Sequence, residues 1–142
     1  MIRYALDTSV MLRWFSQTSE PDTERALRLR REHLDEAIEL VTLDQSIYEL
    51  LHVLKESALF DQEHLAEVLA SLEYMHITIV SYNSDIARKA IQIACEHNVS
   101  LYAACFASLG AYLRCQAVTS DERLYRKVAG LPWTALLAQL NF

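Results

Sequence analysis

Asp7, Glu49 and Asp121 are the residues of this chain whose type and setting best suit them to chemistry. Asp7 closes the short apolar run Ile2-Arg3-Tyr4-Ala5-Leu6 and is followed by two hydroxyls, Thr8 and Ser9. Asp121 repeats that logic: Gln116-Ala117-Val118-Thr119, then Ser120 and the carboxylate, then the helical pattern of Glu122-Arg123-Leu124. In an open α/β sheet, ligands bind in the crevice beyond the carboxyl ends of the strands. Both aspartates fall at such ends. Glu49 belongs to a helical stretch that follows a third strand-like run, Leu40-Val41-Thr42-Leu43. There Ile47, Leu50, Leu51, Leu54 and Ala58 recur at i, i+3, i+4, i+7 and i+11 as one apolar stripe. Glu49 lies off that stripe and is free to face a cleft.

Each acid also has a purely local explanation. Asp7 or Ser9 could cap the helix that follows. Ser46-x-x-Glu49 and Thr119-x-x-Glu122 both fit the capping box, in which the glutamate reaches back to the cap residue's amide. Independent caps account for the acids one at a time. Convergence at one sheet edge accounts for all three together.

The rest of the chain supplies the elements to position them. Apolar periodicity predicts a short helix over residues 10–15, broken by the polar segment 16–20. Pro21 suits the first turn of a helix that the pattern extends to about residue 39. The second strand spans residues 40–43 and the Glu49 helix follows. Asp61 then starts a helix to about residue 74, with a third strand over residues 76–80. Ile86, Ala90, Ile93, Ala94 and His97 mark the face of another helix, and residues 101–114 form the most apolar one. Residues 116–119 are a fourth strand, and residues 132–142 read equally as a strand or a packing segment. Strands separated by helices predict parallel pairing and a three-layer α/β/α sandwich around a sheet of four to five strands, in a single domain over residues 1–142.

With 13 basic and 19 acidic residues, the formal charge is −6, the wrong sign for gripping nucleic acid by bulk electrostatics. It suits a protein that concentrates carboxylates around a metal ion. Arg25, Arg28, Arg30 and Arg31 form the one dense basic run, read as a solvated helix face or a partner surface. Cys95, Cys105 and Cys115 lack metal-ligand spacing and read as buried free thiols. His52, His64, His76 and His97 are scattered without catalytic spacing. No membrane-length apolar run or signal peptide is present, so the expected address is cytoplasmic.

Leu6-Asp7-Thr8-Ser9-Val10 resembles the first motif of PIN-domain nucleases. The strand 41–43 leading into Tyr48-Glu49-Leu50-Leu51 resembles the second, and Val118-Thr119-Ser120-Asp121-Glu122-Arg123-Leu124 is similar to the last. Order and spacing agree over nearly the whole chain, and the size and layout resemble the toxin of VapBC-type toxin–antitoxin pairs. One position departs. The family's remaining acid opens the penultimate helix in a phrase like Leu-x-Tyr-Asp-Ala; here Leu101-Tyr102-Ala103-Ala104 places Ala103 there. Glu96, on the preceding helix, is a poor substitute.

The resemblance implies a ribonuclease dependent on Mg²⁺ or Mn²⁺, ions that take oxygen ligands and lower the pKa of a bound water. Asp7, Glu49 and Asp121 would be its catalytic and metal-binding acids. Thr8, Ser9, Ser120 and Arg123 would be supporting or phosphate contacts. Single-stranded or loop RNA is the implied substrate. The implied partners are a small antitoxin and a second copy of the chain. The apolar residues Leu50, Leu51, Leu54, Leu65, Val68 and Leu69 suggest a two-fold homodimer surface. Two alternatives differ in class. A PIN-like binding module with a decayed acidic site would explain Ala103. A phosphate-accepting receiver domain would need an aspartate after the third strand, where Ser81 and Tyr82 stand.

Overall fold

The computed structural model describes residues 1–15 and 20–142. The expected break over residues 16–20 therefore falls largely outside the described residues. Five strands, β1 (Ile2–Leu6), β2 (Ile38–Leu43), β3 (Thr78–Val80), β4 (Gln116–Thr119) and β5 (Thr134–Leu136), form one parallel sheet in the order β3-β2-β1-β4-β5. The chain winds outward from β1 through β2 to β3, then crosses back to β4 and β5. The strand order reverses between β1 and β4, so the crevice beyond their carboxyl ends is where such a sheet binds ligands. A receiver domain winds in the order 2-1-3-4-5. This sheet does not.

Side chains alternate across the strands and so dictate the layers. Tyr4, Leu6 and Leu40 point to one face, where they are buried with residues of α1 (Thr8–Arg13), α2 (Thr23–Leu34), α3 (Asp44–Glu56) and α4 (Gln62–Met75). Ala5, Val41 and Leu43 point to the other, against α5 (Ser84–His97), α6 (Leu101–Leu113) and α7 (Glu122–Val128). The tail contributes β5 and a 3-10 turn, Leu137–Gln139, whose Leu137 is fully buried.

The helix expected over residues 21–39 ends early. Glu36 takes a left-handed conformation (φ 61°), Ala37 N–H bonds back to Glu32 O at 2.9 Å, and Ile38 and Glu39 belong to β2. A non-glycine residue ends this helix, so no glycine marked the boundary. His33 joins the pieces: its Nδ1 accepts from Leu40 N at 3.1 Å and its Nε2 meets Met75 O at 2.8 Å. β3 likewise starts at Thr78, because His76 closes α4 in the left-handed region (φ 53°).

Other expectations also need correction. Leu50, Leu54 and Val68 are buried in the core, and Leu51 and Leu65 pack partly buried against it; only Leu69 is exposed. Most of the apolar surplus on α3 and α4 thus covers the sheet, and Val53 and Leu69 are what these helices leave exposed of it. Cys95 is exposed, and Cys105 and Cys115 are partly buried, so the thiols are free but not enclosed. Much of the basic run is engaged internally. Arg25 donates to Leu137 O at 2.8 Å and also to Leu140 O, and the Arg25 and Arg28 guanidiniums lie 4.9 and 4.2 Å from the Phe142 ring centre. Arg28 also pairs with Glu32 at 3.7 Å. Among the described residues no helix is long and apolar enough to cross a membrane.

α6 can lie close on the sheet because position 110 is glycine. A Cβ there would stand 2.8 Å from Ala117 Cβ and 3.1 Å from the Cys115 carbonyl oxygen. Gly110→Ala should therefore destabilise the fold by about 1–3 kcal/mol through overpacking, partly offset by alanine's better helix propensity. The check is denaturant unfolding, where the midpoint should fall at constant slope; an unchanged or raised midpoint would contradict the close approach.

Candidate active site

Asp7 follows β1 and occupies the N-cap position of α1 (φ −75°, ψ 153°), yet its carboxylate makes no cap hydrogen bond. It turns instead toward β4. Its Oδ2 accepts from Ser9 Oγ at 2.7 Å and from Thr119 Oγ1 at 2.8 Å. The backbone closes the same gap, Asp7 N–H bonding to Val118 O at 3.0 Å. Ser120 N–H donates to Ser9 Oγ at 2.9 Å, and Asp121 N–H donates to Thr119 Oγ1 at 3.1 Å. Hydroxyls from both strand ends therefore bind the β1–β4 switch point to one carboxylate.

Arg13, which sequence reasoning missed, extends this network. Its Nε donates to Ser120 Oγ at 3.1 Å and lies 3.2 Å from Asp22 Oδ1, while Nη1 lies 3.2 Å from Glu20 Oε2. One available signal was its place one helical turn after Ser9, on the same face of α1. Thr8 is buried at the start of that helix. Arg123 is exposed on α7 and joins neither carboxylate.

The capping account fails for Glu49. α3 starts at Asp44, so Ser46 is buried inside the helix and makes no capping box. The partly exposed Glu49 is near enough to Asp7 for its negative charge to raise the Asp7 pKa. Burial is the larger cause of that rise, and the Ser9 and Thr119 hydroxyls oppose it. For Asp121 the capping account holds in part. Its Oδ1 accepts from Leu124 N at 3.1 Å as the N-cap of α7, while Glu122 pairs with Arg126 at 3.4 Å and does not reach back to Thr119.

Ala103 sits in the first turn of α6, its N–H donating to the Ser100 cap at 3.0 Å. Its neighbours place that turn beside the acids. The Cys105 thiol is pushed up first by burial and then by the charges of Glu49 and Asp7. Tyr102 borders a depression with Gln45, Tyr48, Glu49 and His52. Glu96 accepts from Gln92 at 3.1 Å on the exposed side of α5 and takes no part. Among the described residues, no group of three or more His, Cys, Asp or Glu is placed to hold a metal ion. Asp7 and Glu49 share one electrostatic environment, Asp121 is turned to its helix, and position 103 offers a methyl group.

These features define a parallel α/β domain with an acidic site at its topological switch point. A family model for the PIN domain matches residues 4–131, and the chain belongs to that family. No curated protein sequence matches it. Among solved structures, a toxin–antitoxin complex from Klebsiella pneumoniae is similar at TM-score 0.69 and 16% identity, over 99% of this chain and 100% of that one. FitAcB from Neisseria gonorrhoeae is similar at 0.62 and 18%, with 99% and 100% covered. PAE2754 from Pyrobaculum aerophilum is similar at 0.60 and 20%, with 96% and 90% covered. At such identities the likeness is one of fold.

Because Asp7 holds its proton more tightly folded than unfolded, its ionisation costs stability. The cost is full above the raised pKa and absent below the ordinary carboxylate value near 4. Asp7→Asn should therefore raise the melting temperature of the metal-free chain at pH 7, by roughly 2–4 °C per kcal/mol relieved. The gain should shrink as pH falls through the carboxylate range. A gain independent of pH, or a loss at pH 7, would show that Asp7 is not held as a strained charge.

Proposed function

We propose that this chain is an endoribonuclease of the toxin–antitoxin type, built for Mg²⁺ or Mn²⁺ and weakened by the alanine at position 103. One observation carries the reading: a carboxylate buried at the switch point, held by hydroxyls from two strands, under the charge of a second carboxylate. Two acids that feel each other's charge gain from a cation between them. Such an ion, when bound, supplies a water of lowered pKa and stabilises charge on the phosphate. Among the described residues no group of three His, Cys, Asp or Glu side chains stands ready to hold it.

The chain's own residues still define the reaction centre. Ser9 and Thr119 fix the orientation of Asp7, and Ser120 with Arg13 stiffens the β4 end beside it. Glu49 approaches from α3 as a base or ligand free of any cap. An acid at position 103 would stand between Tyr102 and Cys105, whose surroundings already include Glu49. Single-stranded or loop RNA is the proposed substrate, because its backbone can be splayed into an edge cleft. The similar structure from Klebsiella pneumoniae, described as a toxin–antitoxin complex, supports an antitoxin partner. A homodimer is proposed on the exposed remainder of α3 and α4, Val53 and Leu69, and a cytoplasmic location goes with that assembly. Light scattering should then give twice the chain mass at micromolar concentration; a monomer mass at high concentration removes the dimer.

A second reading has its own support. The absence of a three-donor group among the described residues favours a decayed PIN-like domain that binds RNA or protein without cutting. Position 103 separates the two. Ala103→Asp should bring Mg²⁺- or Mn²⁺-dependent cleavage of single-stranded RNA, up by orders of magnitude over the chain as written, since groups acting as a catalytic unit are strongly non-additive. Asp7→Asn in that background should abolish it. Equal rates with and without the aspartate would show that position 103 is not a working ligand position; no cleavage by either form would favour the binding module.

A further inference from the structure

Two tyrosines flank Glu49 with nothing holding them. Tyr48, on α3, is 77% exposed, and Tyr102, in the first turn of α6, is 68% exposed. Their helices pack on opposite faces of the sheet, yet both rings border one depression of about 360 Å³ with Glu49, Gln45 and the exposed His52. Neither phenol makes a hydrogen bond among the described residues, whereas Tyr112 accepts from Asn83 at 3.0 Å. A single exposed aromatic residue needs no explanation. Two rings from separate layers that border one depression with Glu49 do.

The chemistry of the depression restricts its occupant. Glu49 in its lining disfavours a phosphate or an acidic side chain. The rings offer flat apolar faces, and the phenols, the Gln45 amide and the His52 imidazole offer hydrogen-bonding groups around them. This combination fits a planar heteroaromatic ring with polar edges. The chain carries a net charge of −6, so whatever RNA affinity it has must come from local contacts rather than from a positive field. Stacking on aromatic side chains is such a contact, and it requires an unpaired base.

We propose that Tyr48 and Tyr102 form a stacking subsite for one unpaired nucleobase of a single-stranded RNA, next to the phosphate presented to Asp7 and Glu49. This rests on the ribonuclease reading for its choice of RNA. The subsite orients the strand by its base. The paired strands of a duplex are excluded because their bases are already stacked.

The experiment uses the full chain and a short single-stranded RNA carrying 2-aminopurine, in buffer with a chelator so that binding is read without metal-dependent cleavage. Saturable quenching of the 2-aminopurine fluorescence is expected. Tyr48→Ala or Tyr102→Ala should weaken it roughly 10-fold or more, and Tyr48→Phe or Tyr102→Phe should restore it, since stacking needs the ring and not the hydroxyl. Circular dichroism should show all four variants folded, because both side chains are exposed. Absence of quenching with the unmodified chain overturns the proposal, as does quenching that survives both alanine variants. Loss of a dimer mass in the alanine variants with RNA binding unchanged also overturns it and assigns the depression to a second copy. Cleavage in the Ala103→Asp background is read separately. Tyrosine-dependent quenching without cleavage keeps the subsite and removes the nuclease, whereas cleavage indifferent to both tyrosines keeps the nuclease and removes the subsite.

Discussion

The fold turns on the seam between β1 and β4, and that seam is closed by the Asp7 carboxyl group. Asp7 N–H bonds to Val118 O, and the Asp7 carboxylate takes the Ser9 and Thr119 hydroxyls. These strands are far apart in sequence and carry the two halves of the winding. A neutral hydrogen-bonded group would join them with less strain. The carboxylate is retained at a desolvation cost that its hydroxyl partners only partly offset, as the direction of its pKa shift indicates. Strained ionisable groups of this kind concentrate at functional sites. The seam and the candidate site thus share Asp7, Ser9 and Thr119.

Legibility from sequence followed the range of the interactions. Layers and parallel winding were readable because alternating strands and apolar helix stripes are short-range patterns. Boundaries failed where a non-glycine residue in the left-handed region ended a helix, as at Glu36 and His76. The apolar surplus of α3 and α4 was misjudged because both helices pack over the interior of one face, where Leu51 and Leu65 are used in half-burial. A helical stripe does not reveal how much of it a five-stranded sheet will cover.

The site divides along the same line. Ser46-x-x-Glu49 has the form of a capping box, but the helix begins two residues before Ser46 and leaves the glutamate free. Thr119-x-x-Glu122 has it too, and there Asp121 is the true cap while Thr119 serves Asp7. The same local signature thus concealed a free acid in one place and a strand-end hydroxyl in the other. Arg13 carried only the weak signal of its place one turn after Ser9, and the shared depression of Tyr48 and Tyr102 was not legible, since it joins residues of α3 and α6 from opposite faces of the sheet.

Position 103 shows what the seam tolerates. Ala103 is a good helix former in a capped first turn, and it adds no charge to a neighbourhood where Asp7 is already raised by Glu49 and where Cys105 feels both. An aspartate there would gain from the amino end of α6, yet it would raise the repulsion that the buried carboxylate already bears. Without a cation, the alanine form is therefore the more relaxed one. A metal reverses that order, because each added carboxylate then becomes a ligand instead of a repelling neighbour. Stability of the empty fold and competence of the site make opposite demands at this residue. Alanine at position 103 meets the first of these demands.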